Sequence, residues 1–458
     1  MRGHILVLLL ITLQKTCHSQ NLPPFKTLRY EESYDFLAKD SSVDWHTKMK
    51  YQPFSASGNV YLSVGGDVRF QYLYFKNPAW GDAAEDEEGY LLTRFLAHAD
   101  LHTGKLARIF LQLQSSLVKG KIANTAVEEN PLDLHQAFVD INLISKQNKR
   151  SLFRIGRQEL LYGSQRLISV RELPNSRQSF DAVKFIVGFN KLSVDLFYGN
   201  YVAAAKGILD DPFFNHRVKL WGGYFTFSEF AAVQNIDLYY LGLWKQQATF
   251  DDGTAAELRH SIGTRIWNTK NAFKYDVEAV GQWGNFGNVK ISAWTLSFNN
   301  SYQFSGSLLK PTVGFKTELV SGNKAYHDTH LQTFNPMFPR GAYFGLAAFI
   351  GPANLFDLHP SVALQLEKRL TLSFDCDMFW RYSRADGLYA PNVSLIYSGK
   401  NVEEKFIGNQ YATDLVYVPS KFLYFRAELT WFVAGEFLKA AGSGKNILFT
   451  GFTAQLKF

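Results

Sequence analysis

The chain has 458 residues, of which 16% are aromatic and only 19% charged, against the ~25% charged that soluble domains usually carry. Lys and Arg number 48 and Asp and Glu 41, a formal net charge of +7, which suits an anionic ligand or an anionic surface. Of the two cysteines, Cys17 falls in a leader and Cys376 is left alone, so an intramolecular disulfide framework is excluded.

Arg2, the apolar run IleLeuValLeuLeuLeuIleThrLeu from Ile5 to Leu13 and the small residues Cys17 and Ser19 around His18 read as a signal peptide over residues 1–19. The apolar run is about half of the ~20 residues needed to cross a bilayer as a helix. Gln14 stands where a lipoprotein signal carries an aliphatic residue, which disfavours lipidation of Cys17. Later segments offer no apolar run long enough for a membrane helix, which leaves a soluble exported protein or a transmembrane barrel. Export makes nucleic acid the poorest partner for the basic charge. Residues 20–55 lack alternation and are expected to form a periplasmic arm or an inward plug; residues 56–458 read as one β domain.

In residues 59–72, Val60, Leu62, Val64, Val68, Phe70 and Tyr72 share one face, while Ser63, Asp67, Arg69 and Gln71 share the other. A period of two marks a strand with one apolar and one wet side. Further along, Arg94 shares its face with His98 and Asp100, and Arg108 with Gln112 and Gln114. Arg381 lies with Asp375 and Asp377, opposite Leu372, Phe374, Cys376, Met378 and Trp380. Arg426 lies with Glu428 and Thr430, and residues 447–458 alternate again. These segments run about 9 to 13 residues, longer than the ~5–6 typical of soluble strands and matched to the ~9–11 of a membrane barrel.

Short connections fall near residues 102–105, 145–150, 189–191, 228–234, 268–271, 305–310, 367–369 and 418–421. Mostly longer ones fall between them, at 77–89, 117–133, 161–180, 201–215, 248–257, 284–289, 321–342, 384–408 and 434–445. That rhythm predicts an all-β transmembrane antiparallel β-barrel of about 18 strands, with short periplasmic turns, longer extracellular loops and both termini in the periplasm of an outer membrane. The barrel must close, because an open edge in hydrocarbon leaves a row of backbone groups unpaired. Tyr72, Tyr74, Trp221, Tyr224, Trp244, Trp267, Trp283, Trp294, Trp380 and Trp431 lie near segment ends and are expected in the interfacial aromatic girdles.

Alternation places Arg69, Arg94, Arg108, Arg381 and Arg426 in the lumen. An arginine on the lipid face near the midplane would cost about 2–4 kcal/mol. A guanidinium keeps its charge and matches a carboxylate with two hydrogen bonds, so a wall of them attracts an anionic chain. Interspersed acids such as Asp140, Asp375, Asp377 and Glu428 would keep any one site from binding too tightly. The same Arg–acid ladders would also brace a barrel that has no selectivity. Arginine is densest over residues 154–181, where Arg154 and Arg157 have opposite parity, which implies a bend near Gly156 or a turn-out at the strand end.

The remaining motifs are weaker. Gly442-Ser443-Gly444-Lys445 departs from a phosphate-binding loop at Lys439 and Asn446 and reads as a surface loop. His327, Asp328 and His330 lack metal-ligand spacing. A nucleophile elbow and a zinc-protease helix are both missing, so neither catalysis, a cofactor nor a metal is expected.

GlyArgGlnGluLeuLeuTyrGlySerGlnArgLeuIleSerValArgGluLeuProAsnSerArgGlnSerPheAsp (156–181), FIGPANLFDLHPSVAL (349–364) and RLTLSFDCDMFWR (369–381) resemble the alginate-export family of outer-membrane porins. The resemblance implies an 18-stranded barrel with an arginine-rich lumen through which a polyuronate such as alginate leaves the cell, with help from periplasmic partners. Carried over by position, Arg154, Arg157, Arg166, Arg171, Arg177 and Asp181 would belong to the selectivity region; Arg381 and Arg426 fit by lumenal parity only. The expectation is a passive outer-membrane channel, set in outer-membrane lipid, for anionic polysaccharide or oligosaccharide. An uptake porin for small anionic or sugar solutes, an outer-membrane lipase or protease, and an adhesin using its long loops stand as alternatives.

Overall fold

Strands with one apolar and one polar row can bury neither row in a flat sheet; closed on themselves in lipid, they give each row its own solvent. The computed structural model describes residues 23–39, 44–146, 149–230 and 233–458. The expected signal peptide, with Cys17, lies outside the described residues, as do positions 147–148 and 231–232 of two expected turns.

Eighteen antiparallel strands close the barrel, each paired to its sequence neighbours. They are β1 (Val60–Lys76), β2 (Tyr90–Thr103), β3 (Ala107–Lys119), β4 (Asn130–Lys146), β5 (Lys149–Gln158), β6 (Phe180–Phe189), β7 (Leu192–Tyr201), β8 (Val218–Phe230) and β9 (Gln234–Phe250). The second half comprises β10 (Gly253–Asn268), β11 (Phe273–Phe286), β12 (Val289–Gln303), β13 (Thr312–Val320), β14 (Leu355–Glu367), β15 (Leu370–Arg381), β16 (Phe406–Tyr417), β17 (Leu423–Ala434) and β18 (Ile447–Lys457). Closure is direct: β1 pairs β2 on one side and β18 on the other.

The long connections gather at one end, at 77–89, 120–129, 159–179, 202–217, 321–354, 382–405 and 435–446. Two of the longer connections expected there are tight turns instead. β9 and β10 stay paired through a bulge up to Phe250 and Gly253, and β11 and β12 stay paired up to Phe286 and Val289.

Faces follow the alternation. Tyr72, Phe95, Leu111, Trp283, Trp294 and Trp431 are exposed on the outer wall. Tyr224 and Trp267 are not girdle residues: the buried Tyr224 hydroxyl donates to Asp237 Oδ2 at 2.8 Å, and Trp267 lies on the row of Arg259 and Arg265, with the Arg265 guanidinium 4.8 Å from its ring centroid. An inward aromatic is favourable here because the lumen is filled by protein rather than water.

Three segments do the filling. Between residue 23 and β1, a 3₁₀ turn at Arg29–Glu31 and helix α1 (Trp45–Lys50), capped by the Asp44 carboxylate on Thr47 N, dock against the wall. The ring of Tyr30 packs edge-on against Phe110 and Phe138 at 5.9 and 5.2 Å. Arg29 donates to the Gly66 and Phe458 oxygens, and Lys50 Nζ to those of Val64 and Phe458, which ties the segment to the β1–β18 seam. The other two segments are the loops 159–179 and 321–354. They join along their backbones: Ser169 N donates to Phe338 O at 3.0 Å, Phe338 N to Leu167 O at 2.9 Å and Arg340 N to Gln165 O at 3.0 Å. Leu160, Leu167, Ile168, Phe334, Met337, Phe338 and Phe344 form with inward wall residues such as Phe180, Phe379 and Phe432 a buried apolar core inside the barrel. The lumen therefore holds a buried apolar core beside its arginine rows.

Candidate functional site

The inward row of β1 brings Arg69 directly opposite Arg94 of β2. Like charges in register repel, and the chain meets this with acids on both sides. Arg94 Nη2 lies 3.6 Å from Asp67 Oδ1 and 2.5 Å from Glu172 Oε1. Arg69 Nη1 donates to the Glu172 carbonyl at 2.7 Å and Nη2 to the Pro174 carbonyl at 3.1 Å. Arg177, from the same loop as Glu172, reaches the other carboxylate oxygen, Nη1 to Oε2 at 3.3 Å. Three guanidiniums thus meet around one loop glutamate. Their side chains are buried, while that of Glu172 is 42% exposed. Burial pushes the Glu172 carboxyl up, but Arg94, then Arg177 and Arg69, more than offset it and hold it well below the usual carboxylate range.

Asn175 fixes the loop that carries this glutamate. Its amide donates to the carbonyls of Thr93, Leu117 and Glu128 at 3.2, 3.0 and 2.9 Å. From Arg177 the network continues through Glu159, 2.9 Å from Arg177 Nε and 2.7 Å from His135 Nε2. At its other end the same loop reaches the far wall, where Arg166 meets Glu278 of β11 at 3.0 Å, Glu318 of β13 and the Tyr343 hydroxyl. Loop 159–179 therefore bridges the lumen from β1 and β2 to β11 and β13, with an arginine at each landing.

A second group belongs to the N-terminal segment. Arg154 chelates Asp140 through Nε and Nη2 at 2.6 and 2.8 Å, and its guanidinium lies 4.1 Å from the ring centroids of both Tyr30 and Phe138. Arg108 binds Asp100 at 2.7 Å and donates to the Tyr30 carbonyl. Both arginines act as lumenal clamps on Tyr30.

The other sequence candidates are placed differently. Gly156 adopts φ +130° between Arg154 and Arg157. Arg157 and Asp181 pair across β5 and β6 on the row of the exposed Ile155 and Val183, at the loop end of the wall. There Arg157 binds Asp181 at 2.8 Å, donates to the Pro212 carbonyl and lies 4.1 Å from the Phe213 ring centroid, so residues 212–213 cover the pair. Arg381 spends its fork on backbone: it donates to the carbonyls of Val402, Glu404, Arg384 and Asp386 and stacks on Phe437, which shapes loop 382–405. Arg426 binds Asp414 through two nitrogens and Glu428 through one. Arg171, at φ +52°, has no acid in ion-pair distance among the described residues and lines a small cavity with His135, Arg177 and Asp211.

Sequence reasoning missed the β10 arginines. Arg259 binds Glu257 at 2.6 Å, and Arg265 binds Asp237 and Asp276 at 3.0 and 2.6 Å. The parity test that found Arg69 applies to them equally, since Leu258, Ile262 and Ile266 occupy the alternate row. The carboxylates of Asp133, Asp210 and Asp211 approach one another closely enough to hold a metal ion. However, Asp133 Oδ2 already accepts the backbone N–H groups of Asp210 and Asp211, which accounts for the cluster without one. Residues 442–445 form a loop in which Ser443 binds Asp82, not a phosphate cradle.

The family model for alginate export matches residues 60–447, the barrel from the first residue of β1 into the first of β18. The chain belongs to the alginate-export family. Curated proteins give no match. Among solved structures, this alginate-export barrel is similar to Acinetobacter baumannii OccAB1, with 12% identity over 90% of this chain and 99% of that one and a TM-score of 0.57. It is similar also to a BenF-like porin from Pseudomonas fluorescens Pf-5, with 8% identity, 87% and 98% coverage and a TM-score of 0.56, and to Pseudomonas aeruginosa OccK11, with 12%, 87%, 96% and 0.54. At such identities the likeness is one of fold. Family and fold together make this an outer-membrane β-barrel channel of the transport-porin type.

Proposed function

We propose that this alginate-export barrel passively conducts an anionic polysaccharide or oligosaccharide, a polyuronate such as alginate, past its lumenal arginines. The observation that carries the reading is the convergence of three arginines on Glu172, Arg94 and Arg177 on its carboxylate and Arg69 on its carbonyl oxygen. Three arginines from two strands and a loop, two of them on the carboxylate of Glu172 and the third on its carbonyl, supply the charge and fork geometry that a uronate needs. Flanking acids, Asp67 and Glu159, temper the site so that a carboxylate can leave it, which conduction requires. Glu172 itself acts as resident counter-ion, and an incoming uronate competes with it.

Single-channel recording with added oligouronate tests this. Oligouronates are expected to block the wild-type current in brief events. Blocks should shorten at least about tenfold in Arg94→Ala or Arg177→Ala, each of which removes one charge-assisted contact. A neutral oligosaccharide of equal length blocking as well as the uronate would contradict the reading.

A further inference from the structure

The outer wall between β7 and β9 is dented, and glycine makes the dent. On the outward row of β8, Gly223 stands between Trp221 and Phe225. A Cβ there would lie 3.1 Å from Leu196 Cδ2 and 3.3 Å from the Phe225 ring, so the missing side chain leaves a floor between those residues. Beside it, Gly242 of β9 is the register partner of Trp221. A Cβ on Gly242 would fall 2.1 Å from the indole, so only glycine lets Trp221 lie flat on the neighbouring strand. The result is an apolar groove of about 540 Å³ walled by Phe185, Leu196, Tyr198, Trp221, Phe225 and Tyr240. It continues through Tyr198 and Trp221 into a second hollow, of about 420 Å³, closed by Trp244, Leu258 and Lys219.

Lys219 is the second residue of β8 and stands at the long-loop end, which is the outer face in barrels of this kind. Its ammonium lies 5.1 Å from the Trp244 ring centroid, and among the described residues no acid pairs with it. Arg217, two residues before it, is exposed. From Lys219 to Phe225 the strand advances about 20 Å at ~3.3 Å per residue, the length of one extended acyl chain. The groove is continuous with the lipid-facing wall, so its natural occupant is a lipid, and the cation at its outer rim calls for an anionic headgroup.

We propose that this groove is a specific site for a phosphorylated glycolipid of the outer leaflet, with one acyl chain along Gly223 and a phosphate on Lys219. The site lies on the opposite side of the wall from the arginines and does not depend on the cargo.

Native mass spectrometry of the purified full-length barrel in detergent, with added bisphosphorylated lipid A or with phosphatidylglycerol, tests the assignment. The wild type is expected to retain one lipid A in preference to phosphatidylglycerol. Lys219→Gln is expected to weaken retention about tenfold, the loss of one charge-assisted contact, and Gly223→Leu, which fills the floor, to abolish it. Lys219 is a rim residue whose replacement leaves strand pairing untouched, and heat-modifiable gel migration reports that each variant remains folded. Equal lipid A retention in the wild type and Lys219→Gln, phosphatidylglycerol held as tightly as lipid A, or a second copy of the barrel bound in place of lipid would each overturn it.

Discussion

Arg69 and Arg94 stand in direct register on β1 and β2, and both donate to the carbonyl oxygen of a single loop residue, Glu172, at 2.7 and 3.0 Å. Two guanidiniums side by side in a buried setting would drive the strands apart without that residue. Glu172 therefore holds the loop in the lumen and keeps the arginines tolerable. Glu172→Gln keeps the backbone contacts and removes the charge. It is expected to destabilise the barrel by about 1–2 kcal/mol, less than the ~3–5 kcal/mol of a fully buried pair because the carboxylate is partly open to water. It should also lengthen oligouronate blocks. Because the folded carboxyl is depressed, its stabilisation is present above the ordinary value of 4.5 and lost as pH falls below it. Denaturation followed from pH 7 to 3 should show this loss in the wild type and a shallower one in Glu172→Gln.

The N-terminal segment is held by Arg154, whose guanidinium chelates Asp140 and stacks on Tyr30. Arg154→Ala leaves Asp140 buried with only the longer 3.7 Å approach of Arg108, so a loss of about 3–5 kcal/mol is expected. Limited proteolysis should cut within residues 23–39 at least about tenfold faster.

Ile168 and Phe338 are bridge partners where the two inward loops join. In a Cys376→Ser background, Ile168→Cys with Phe338→Cys should form a disulfide that locks the loops together. Conduction of uronate past the arginines requires the loops to part, so the oxidised protein is expected to carry no uronate current, and reduction to restore it. Vesicles loaded with oligouronate measure this directly.

Alternation read from single strands assigned Arg69, Arg94, Arg108, Arg381 and Arg426 to the row that the structure turns inward, because the period of two is local and is enforced by lipid on one side. The connection at 77–89 was legible for the same reason, since alternation stops where pairing stops. The joining of loops 159–179 and 321–354 was not legible, because it pairs residues about 170 positions apart that share no local period. One signal was present: Phe334, Met337, Phe338, Tyr343, Phe344, Leu346, Phe349 and Ile350 make loop 321–354 too apolar for a solvated loop. Tyr224 and Trp267 misled because aromatic residues suit both a membrane interface and a packed interior.

Alternation runs unbroken through Gly156, which leaves Arg154 on the inner row and Arg157 on the row of Ile155. At φ +130°, a Cβ on Gly156 would meet the Ala137 carbonyl at 2.2 Å and Phe138 Cα at 2.7 Å. Gly156→Val is expected to cost about 1–3 kcal/mol in backbone strain and to loosen the Arg157–Asp181 pair at the rim, read as a lower unfolding temperature in a heat-modifiability assay.

The most direct test of an anion-conducting lumen is the reversal potential of the wild-type barrel in a planar bilayer under a tenfold KCl gradient. Selectivity for chloride, reduced in the Arg69→Ala, Arg94→Ala, Arg177→Ala triple variant, is the expected result. A reversal potential of the sign set by potassium, unchanged in that variant, would contradict it.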